Sequence, residues 1–116
     1  SRIRIGDGNW HHVVCSYDAT SSKVAVYLDG VKQNLPSSLT DKFQDDPTKG
    51  GAPLGALAFK NATKFVFGCY KQSLPGGTPD AWMKNYDGGL DEFRIYNKAL
   101  ADADVTSLYQ LEKAGR

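Results

Sequence analysis

The sequence lacks long hydrophobic runs and any marked excess of one charge. No apolar stretch approaches the roughly 20 residues of a membrane-spanning helix, and the first residues show no signal-peptide pattern. Lys and Arg number 14 against 13 Asp and Glu, so the net charge is +1. There is no basic cluster of the kind that binds a nucleic-acid backbone. We therefore predict no membrane span and no nucleic-acid partner.

Cysteine is scarce as well. Cys15 and Cys69 are the two cysteines, and they fit no Cys-x-x-Cys spacing of a metal or redox site. Three arrangements stay open: a disulfide between them, two buried thiols, or pairing with residues outside this chain. Asn61 begins the N-glycosylation sequon Asn-Ala-Thr, which favours a secreted protein.

Length and composition indicate one globular domain over residues 1–116. The chain is 41% hydrophobic and 23% charged, which is ordinary for a soluble fold. It starts without methionine, inside a stretch of alternating polarity. We therefore expect it to be a piece of a longer polypeptide.

Period-two patterns predict several β-strands. One run ends at Asp29-Gly30, a dipeptide suited to the positive φ angles of a tight hairpin turn. We expect a hairpin over residues 10–32. The predicted strands cover residues 2–5, 10–17, 23–28, 64–70 and 90–96.

Proline and glycine mark the connections, and a different period marks the end of the chain. Residues 33–63 form a predicted long loop, with a short strand near Leu57–Phe59, and residues 73–80 form a second loop. Apolar residues then recur at helical spacing, with aspartates early and a lysine late. This pattern predicts one short amphipathic helix over residues 101–113.

Four motifs follow one another along the chain: DGNWHHVVCSYD at 7–18, KVAVYLDGV at 23–31, FVFG at 65–68 and YDGGLDEFRIYNKALADADVTSLYQLEK at 86–113. In this order they resemble the laminin G-like branch of the concanavalin A-like superfamily, which includes the pentraxins. The resemblance implies an all-β fold, an antiparallel β-sandwich of jelly-roll type with one short C-terminal helix. Strands that usually precede the first motif are absent, so we expect the sandwich to be incomplete at its N-terminus and completed elsewhere. The helix start has Ala101 and Asp104 in place of the family's usual capping pair.

His11 and His12 raise the question of a metal or catalytic site. Adjacent residues of a strand point to opposite faces, so these two side chains cannot chelate one ion. In the resembled family this strand belongs to the scaffold. We interpret His12 as structural, with a functional role as the alternative.

Catalysis is not predicted. Superfamily relatives that cut polysaccharides use a Glu-x-Asp-x-x-Glu strand, which places two carboxyl groups on one face. This sequence has no such triplet, and Asp91 and Glu92, the nearest acidic pair, point apart on a strand. A glycan-cleaving enzyme would need acids supplied from outside this chain.

Calcium is the one cofactor that the resemblance suggests, because many relatives bind it through loop carboxylates and backbone oxygens. The candidate ligands are Asp45, Asp46, Asp80 and Asp87, all in predicted loops. A solvated loop charge is the alternative interpretation of each.

Three aromatic residues flank the second loop: Tyr70, Trp82 and Tyr86. Flat rings beside polar loop groups are typical of carbohydrate sites, and covering the core is the alternative role. We therefore predict an extracellular or cell-surface adhesion module, lectin-like, that binds glycans or protein partners. The alternative is a structural module in which the loop over residues 33–63 packs on a neighbouring subunit.

Overall fold

The computed structural model describes residues 5–40, 55–57 and 62–115. The described residues fall into two compact units. The first unit contains residues 5–40, 55–57 and 96–115, and the second contains residues 62–95. No helix within these residues is long and apolar enough to cross a membrane.

A three-stranded antiparallel sheet is the centre of the first unit. Its strands are β1 (Val13–Asp18), β2 (Lys23–Leu28) and β3 (Val31–Lys32), in the order β1-β2-β3. The register pairs Val13 with Leu28 and Asp18 with Lys23. The predicted strand at 23–28 is confirmed, whereas the run predicted at 10–17 becomes a strand at Val13 and continues to Asp18.

The turns that join these strands use local polar chemistry. Asp29 and Gly30 have φ angles of 51° and 77°, the left-handed values that the Asp-Gly motif predicts for a tight hairpin turn. Between β1 and β2, the Asp18 carboxylate accepts hydrogen bonds from the Thr20 backbone N–H and the Ser21 hydroxyl. The hydroxyl of Tyr17 also donates to the Gly55 carbonyl, which fixes residues 55–57 beside this hairpin.

The described residues of the first unit include two helices. The short helix α1 (Ser37–Thr40) lies in the predicted loop and was not expected. The longer helix α2 (Asp102–Ala114) confirms the predicted helix to within one residue at each end. An alanine methyl cannot accept a hydrogen bond, so only half of a capping box forms, with the Ala101 N–H donating to Asp104 at 3.4 Å.

The most buried apolar side chains of the described residues are Tyr27 on β2 and Val105 on α2, which are 2% and 0% exposed. Polar contacts fix α2 beside the sheet at the same place. The Tyr27 hydroxyl donates to Asp102 at 2.6 Å, and the Thr106 hydroxyl donates to the Gly30 carbonyl at 3.0 Å. The core of the first unit therefore lies between β2 and α2.

The second unit departs from the sequence prediction. Residues 64–70 and 90–96 were predicted as strands, and both predictions are wrong for this structure, because the described residues 62–95 form no strand ladder. Each segment contains a residue with positive φ, Gly68 at 66° and Glu92 at 51°, which interrupts extended backbone. Among the described residues 62–95, regular structure is limited to a 3₁₀ helix at Lys71–Ser73.

The described elements support the coarse part of the fold prediction. A small antiparallel sheet and a C-terminal helix agree with a mostly-β class. The complete sandwich stays a prediction. The strands predicted at 2–5 and near Leu57–Phe59 fall mainly outside the described residues, and the described Ile5 and Leu57 are not in strands.

Candidate functional site

A polar cluster forms where the segment before β1 meets the β2–β3 turn. The His11 ring lies between two carboxylates, with Nε2 3.0 Å from Asp7 Oδ1 and Nδ1 2.9 Å from Asp29 Oδ2. The side chain of His11 is only 16% exposed, whereas that of Asp7 is 46% exposed. The cluster therefore joins a loop residue to a turn residue through one imidazole.

Asp29 links this cluster to the sheet. Its Oδ1 accepts the backbone N–H of His12 at 2.9 Å, and its own N–H donates to the His12 carbonyl at 2.8 Å. Both carboxylate oxygens of Asp29 are thus engaged, one by His11 and one by His12. The Asp-Gly turn therefore holds the backbone just before β1 in register with β2.

His12 faces a different partner. Its Nε2 lies 3.3 Å from Glu112 Oε2 on α2, and its ring centroid lies 5.9 Å from that of Tyr109 on the same helix. Its Nδ1 is buried and has no hydrogen-bond partner within the described part of the chain. His12 thus packs between the sheet and α2, which supports its interpretation as structural.

The charges of the cluster shift the titration of its members. Hydrogen bonds to Asp29 and then to Asp7 raise the pKa of His11 above its ordinary value of 6.5. The Asn9 backbone N–H, followed by His11, lowers the pKa of Asp7 to about 2. Burial acts to raise the pKa of Asp29, but hydrogen bonds from His11 and from the His12 backbone outweigh it and lower the pKa. The electrostatics favour a charged imidazole between charged carboxylates.

Metal ligation by this cluster has no geometric support. Among residues 5–40, 55–57 and 62–115, no group of three or more His, Cys, Asp or Glu side chains is arranged to hold a metal ion. Asp80 and Asp87 lie exposed in irregular backbone of the second unit. Asp45 and Asp46 lie outside the described residues, so calcium binding stays a prediction.

The predicted aromatic site is partly assembled within the second unit. The rings of Tyr70 and Trp82 meet edge to face, with centroids 5.5 Å apart, and are 45% and 64% exposed. Tyr86 is 53% exposed, its N–H bonds to the Gly68 carbonyl, and its hydroxyl donates to the Gly89 carbonyl at 3.1 Å. Tyr70 and Trp82 therefore form an exposed pair, while Tyr86 braces the backbone nearby.

A second aromatic group in this unit was not singled out from the sequence. Phe67 and Phe93 meet edge to face with ring centroids 4.0 Å apart, and Phe65 lies 4.8 Å from Phe67. The period-two pattern of FVF placed Phe65 and Phe67 on one face, which was the available signal. Their contact with Phe93 depends on how two separate segments pack.

The remaining sequence-predicted residues are placed as follows. Cys15 is exposed and Cys69 is half-buried, and both carry free thiols in this structure. Cys15 belongs to the first unit and Cys69 to the second, and the pairing of the two cysteines stays a prediction. Asn61 lies outside the described residues, so its glycosylation stays a prediction.

The acidic pair Asp91 and Glu92 is engaged by neighbours. Asp91 Oδ1 accepts the Glu92 backbone N–H at 2.8 Å, and Glu92 Oε2 lies 2.7 Å from a guanidinium nitrogen of Arg94. These contacts give the two carboxylates structural roles within a short segment. Both are solvent-exposed.

Comparison with known proteins identifies a similar fold. No protein-family model and no curated protein matches the sequence. A crystal structure of residues 221–444 of an S-layer domain-containing protein from Clostridium thermocellum ATCC 27405 is similar, with a TM-score of 0.61 and 19% sequence identity. The match covers 94% of this chain but 43% of the other, so this chain spans less than half of its structural neighbour. At this identity, the likeness shows that the two chains share a fold.

Proposed function

We propose that this chain is a non-catalytic, laminin G-like module of a cell-surface or extracellular protein, and that it associates with protein partners or neighbouring subunits. The observation that carries the proposal is the fold shared over 94% of the chain with an S-layer domain-containing protein. A protein of that description supports a structural role at a cell surface. The resemblance of the motifs to laminin G-like domains supports an extracellular location.

The position of β1 supports association. Among the described strands, β1 lies at one edge of the sheet, and an edge strand offers unpaired backbone groups to another chain. The His12 carbonyl accepts from Asp29, so the alternation of an antiparallel ladder directs the backbone groups of Val13, Cys15 and Tyr17 away from β2. The side chain of Val13 is 49% exposed beside this edge.

Self-association can be measured by analytical ultracentrifugation over a range of protein concentrations. We expect the wild type to form dimers or larger species, and Val13→Lys to weaken them at least tenfold, because a charged edge residue opposes strand pairing. Leu111→Lys is the matched control, since Leu111 is 72% exposed on α2. A wild type that stays monomeric at the highest concentration would contradict self-association through β1.

Glycan recognition is the second candidate function, and the exposed Tyr70–Trp82 pair favours it. Apolar ring faces beside polar groups bind sugars by burying their C–H surfaces. In a glycan array, we expect Trp82→Ala to lose binding that Tyr96→Ala retains, since Tyr96 is similarly exposed outside this pair. If Trp82→Ala retained binding, the sugar would bind at a site other than the Tyr70–Trp82 pair.

A further inference from the structure

We propose that His11 is a proton-operated clamp that ties the loop before β1 to the β2–β3 turn, closed when the imidazole carries both protons and open when it loses one. This device goes beyond the binding role proposed above. It depends on the geometry around one ring, and it is independent of which partner the module binds.

Hydrogen-bond chemistry requires a doubly protonated ring. Both nitrogens of His11 lie about 3 Å from carboxylate oxygens, at 3.0 Å to Asp7 and 2.9 Å to Asp29. An ionised carboxylate only accepts hydrogen bonds, and a neutral imidazole donates from one nitrogen alone. The imidazolium form satisfies both contacts, whereas the neutral form places a lone pair against an anionic oxygen.

The charged groups around the His11 ring also favour its protonated form. Asp7 faces His11 from the preceding loop, and Asp29 faces it from the β2–β3 turn. Helix α2 faces the adjacent His12 with Glu112 and with the ring of Tyr109. Within the described part of the chain, the ionisable groups that contact the His11 ring are thus carboxylates, which favour a positive charge on that ring.

When His11 loses one proton, its contact with Asp7 should break before its contact with Asp29. Asp29 is held in the turn by two further hydrogen bonds with the His12 backbone. Asp7 is more exposed, and its other hydrogen bond is to Asn9 within its own loop. A neutral His11 therefore keeps Asp29 as its acceptor and releases Asp7, together with the loop over residues 6–9.

The direction of the pH dependence follows from the shifts. The pKa of His11 is raised in the folded chain, so its stabilisation is complete below its ordinary value of 6.5 and is lost as the pH rises through the raised value. The pKa values of Asp7 and Asp29 are lowered, so their contribution is complete above 3.8 and is lost as the pH falls through the lowered values. The clamp is closed between these limits and opens on the alkaline side.

The test follows the His11 ring and the loop together by NMR from pH 5 to 9. We expect His11 to titrate above its ordinary value, and the backbone amides of residues 6–9 to change with the same midpoint while those of β2 do not. Asp7→Asn should shift the His11 midpoint downward. Asp18→Asn is the matched control, because Asp18 caps the other turn, and it should leave the midpoint unchanged.

Two results would overturn the clamp. One is a His11 midpoint at or below the ordinary histidine value in the folded wild type. The other is a loop whose amides do not follow the His11 titration, even though Asp7→Asn moves that titration. Circular dichroism of each variant at pH 6 confirms that the fold is intact, so a global unfolding would be recognised.

Discussion

At the scale of single residues, Gly30 occupies a position in the hairpin turn that a side chain would not fit without strain. Its φ of 77° is in the left-handed region, and a Cβ built there would lie 2.9 Å from Cδ1 of Tyr109 on α2. The same residue accepts the Thr106 hydroxyl through its carbonyl. The hairpin turn is therefore also the surface on which the helix rests, and the absence of a side chain permits both.

Gly30→Ala should destabilise the chain by about 2 kcal/mol or more, from left-handed strain plus a clash with the Tyr109 ring. Two controls separate these causes in urea unfolding followed by circular dichroism. Gly8→Ala has a positive φ but open space around it, so about 1 kcal/mol is expected. Gly6→Ala, with open space and no positive φ, should be nearly neutral. Equal effects at Gly30 and Gly8 would show that the helix does not rest on the turn.

Tyr27→Phe tests the link between β2 and α2. The variant keeps the buried ring and removes the hydroxyl that donates to Asp102, so we expect a loss of about 0.5–1.5 kcal/mol. Burial, followed by the hydrogen bond to Asp102, raises the pKa of Tyr27 from 10.0 to about 12. This stabilisation should be complete below pH 10 and lost as the pH rises through 12. Tyr96→Phe, at an exposed tyrosine, is the control, and an equal loss there would contradict the assignment.

The histidine pair shows what residue-level reasoning could reach. Sequence alone predicted that His11 and His12 do not share an ion, and the structure gives them different partners. Neither residue lies in β1, which begins at Val13. The alternation of side chains along a strand, on which the prediction was based, is therefore not what separates the two rings. Their partners Asp29 and Glu112 are distant in sequence, and only the turn and the docking of α2 bring them close.

At the scale of elements, the correct predictions are those for segments that a local sequence signal marks. The strand Lys23–Leu28 and the helix Asp102–Ala114 were predictable because a turn dipeptide and a helical period mark them. The segments at 64–70 and 90–96 have equally strong β patterns but no strand ladder in the described structure. A strand depends on a partner for its backbone hydrogen bonds, and a pattern within one segment cannot supply that partner.

The incomplete cap of α2 gives a prediction at this scale. Ala101 stands at the N-cap with extended backbone, and Asp104 already accepts its N–H. Ala101→Ser would add the missing side-chain acceptor for a first-turn N–H, so we expect a gain of about 1 kcal/mol in unfolding free energy. Thermal denaturation measures it.

The control for the cap is Ala114→Ser at the last residue of α2, where a hydroxyl meets no free backbone N–H of the first turn. This variant should leave the midpoint nearly unchanged. If Ala101→Ser gave no more stability than Ala114→Ser, the half-formed box would already satisfy the helix start. The prediction would then be contradicted.

At the scale of the whole molecule, the two units differ in the internal contacts that stabilise each of them. The first unit has a backbone ladder, a 13-residue helix and the buried pair Tyr27 and Val105. The described residues of the second unit depend on ring contacts and short turns, and the rings of Phe65 and Phe93 are 68% and 57% exposed. An aromatic cluster excludes less water when its rings stay this exposed, so it stabilises less.

Amide hydrogen exchange should therefore be slower in the first unit than in the second. Amides of β2 and of the interior turns of α2 are bonded within ladder or helix, so we expect exchange at least a hundredfold slower there than over residues 62–95. A sample exchanged in denaturant gives the intrinsic rates for each segment and serves as the control. Slow exchange over residues 64–70 and 90–96 would instead mean that these segments acquire strand partners in solution, as the laminin G-like resemblance predicts.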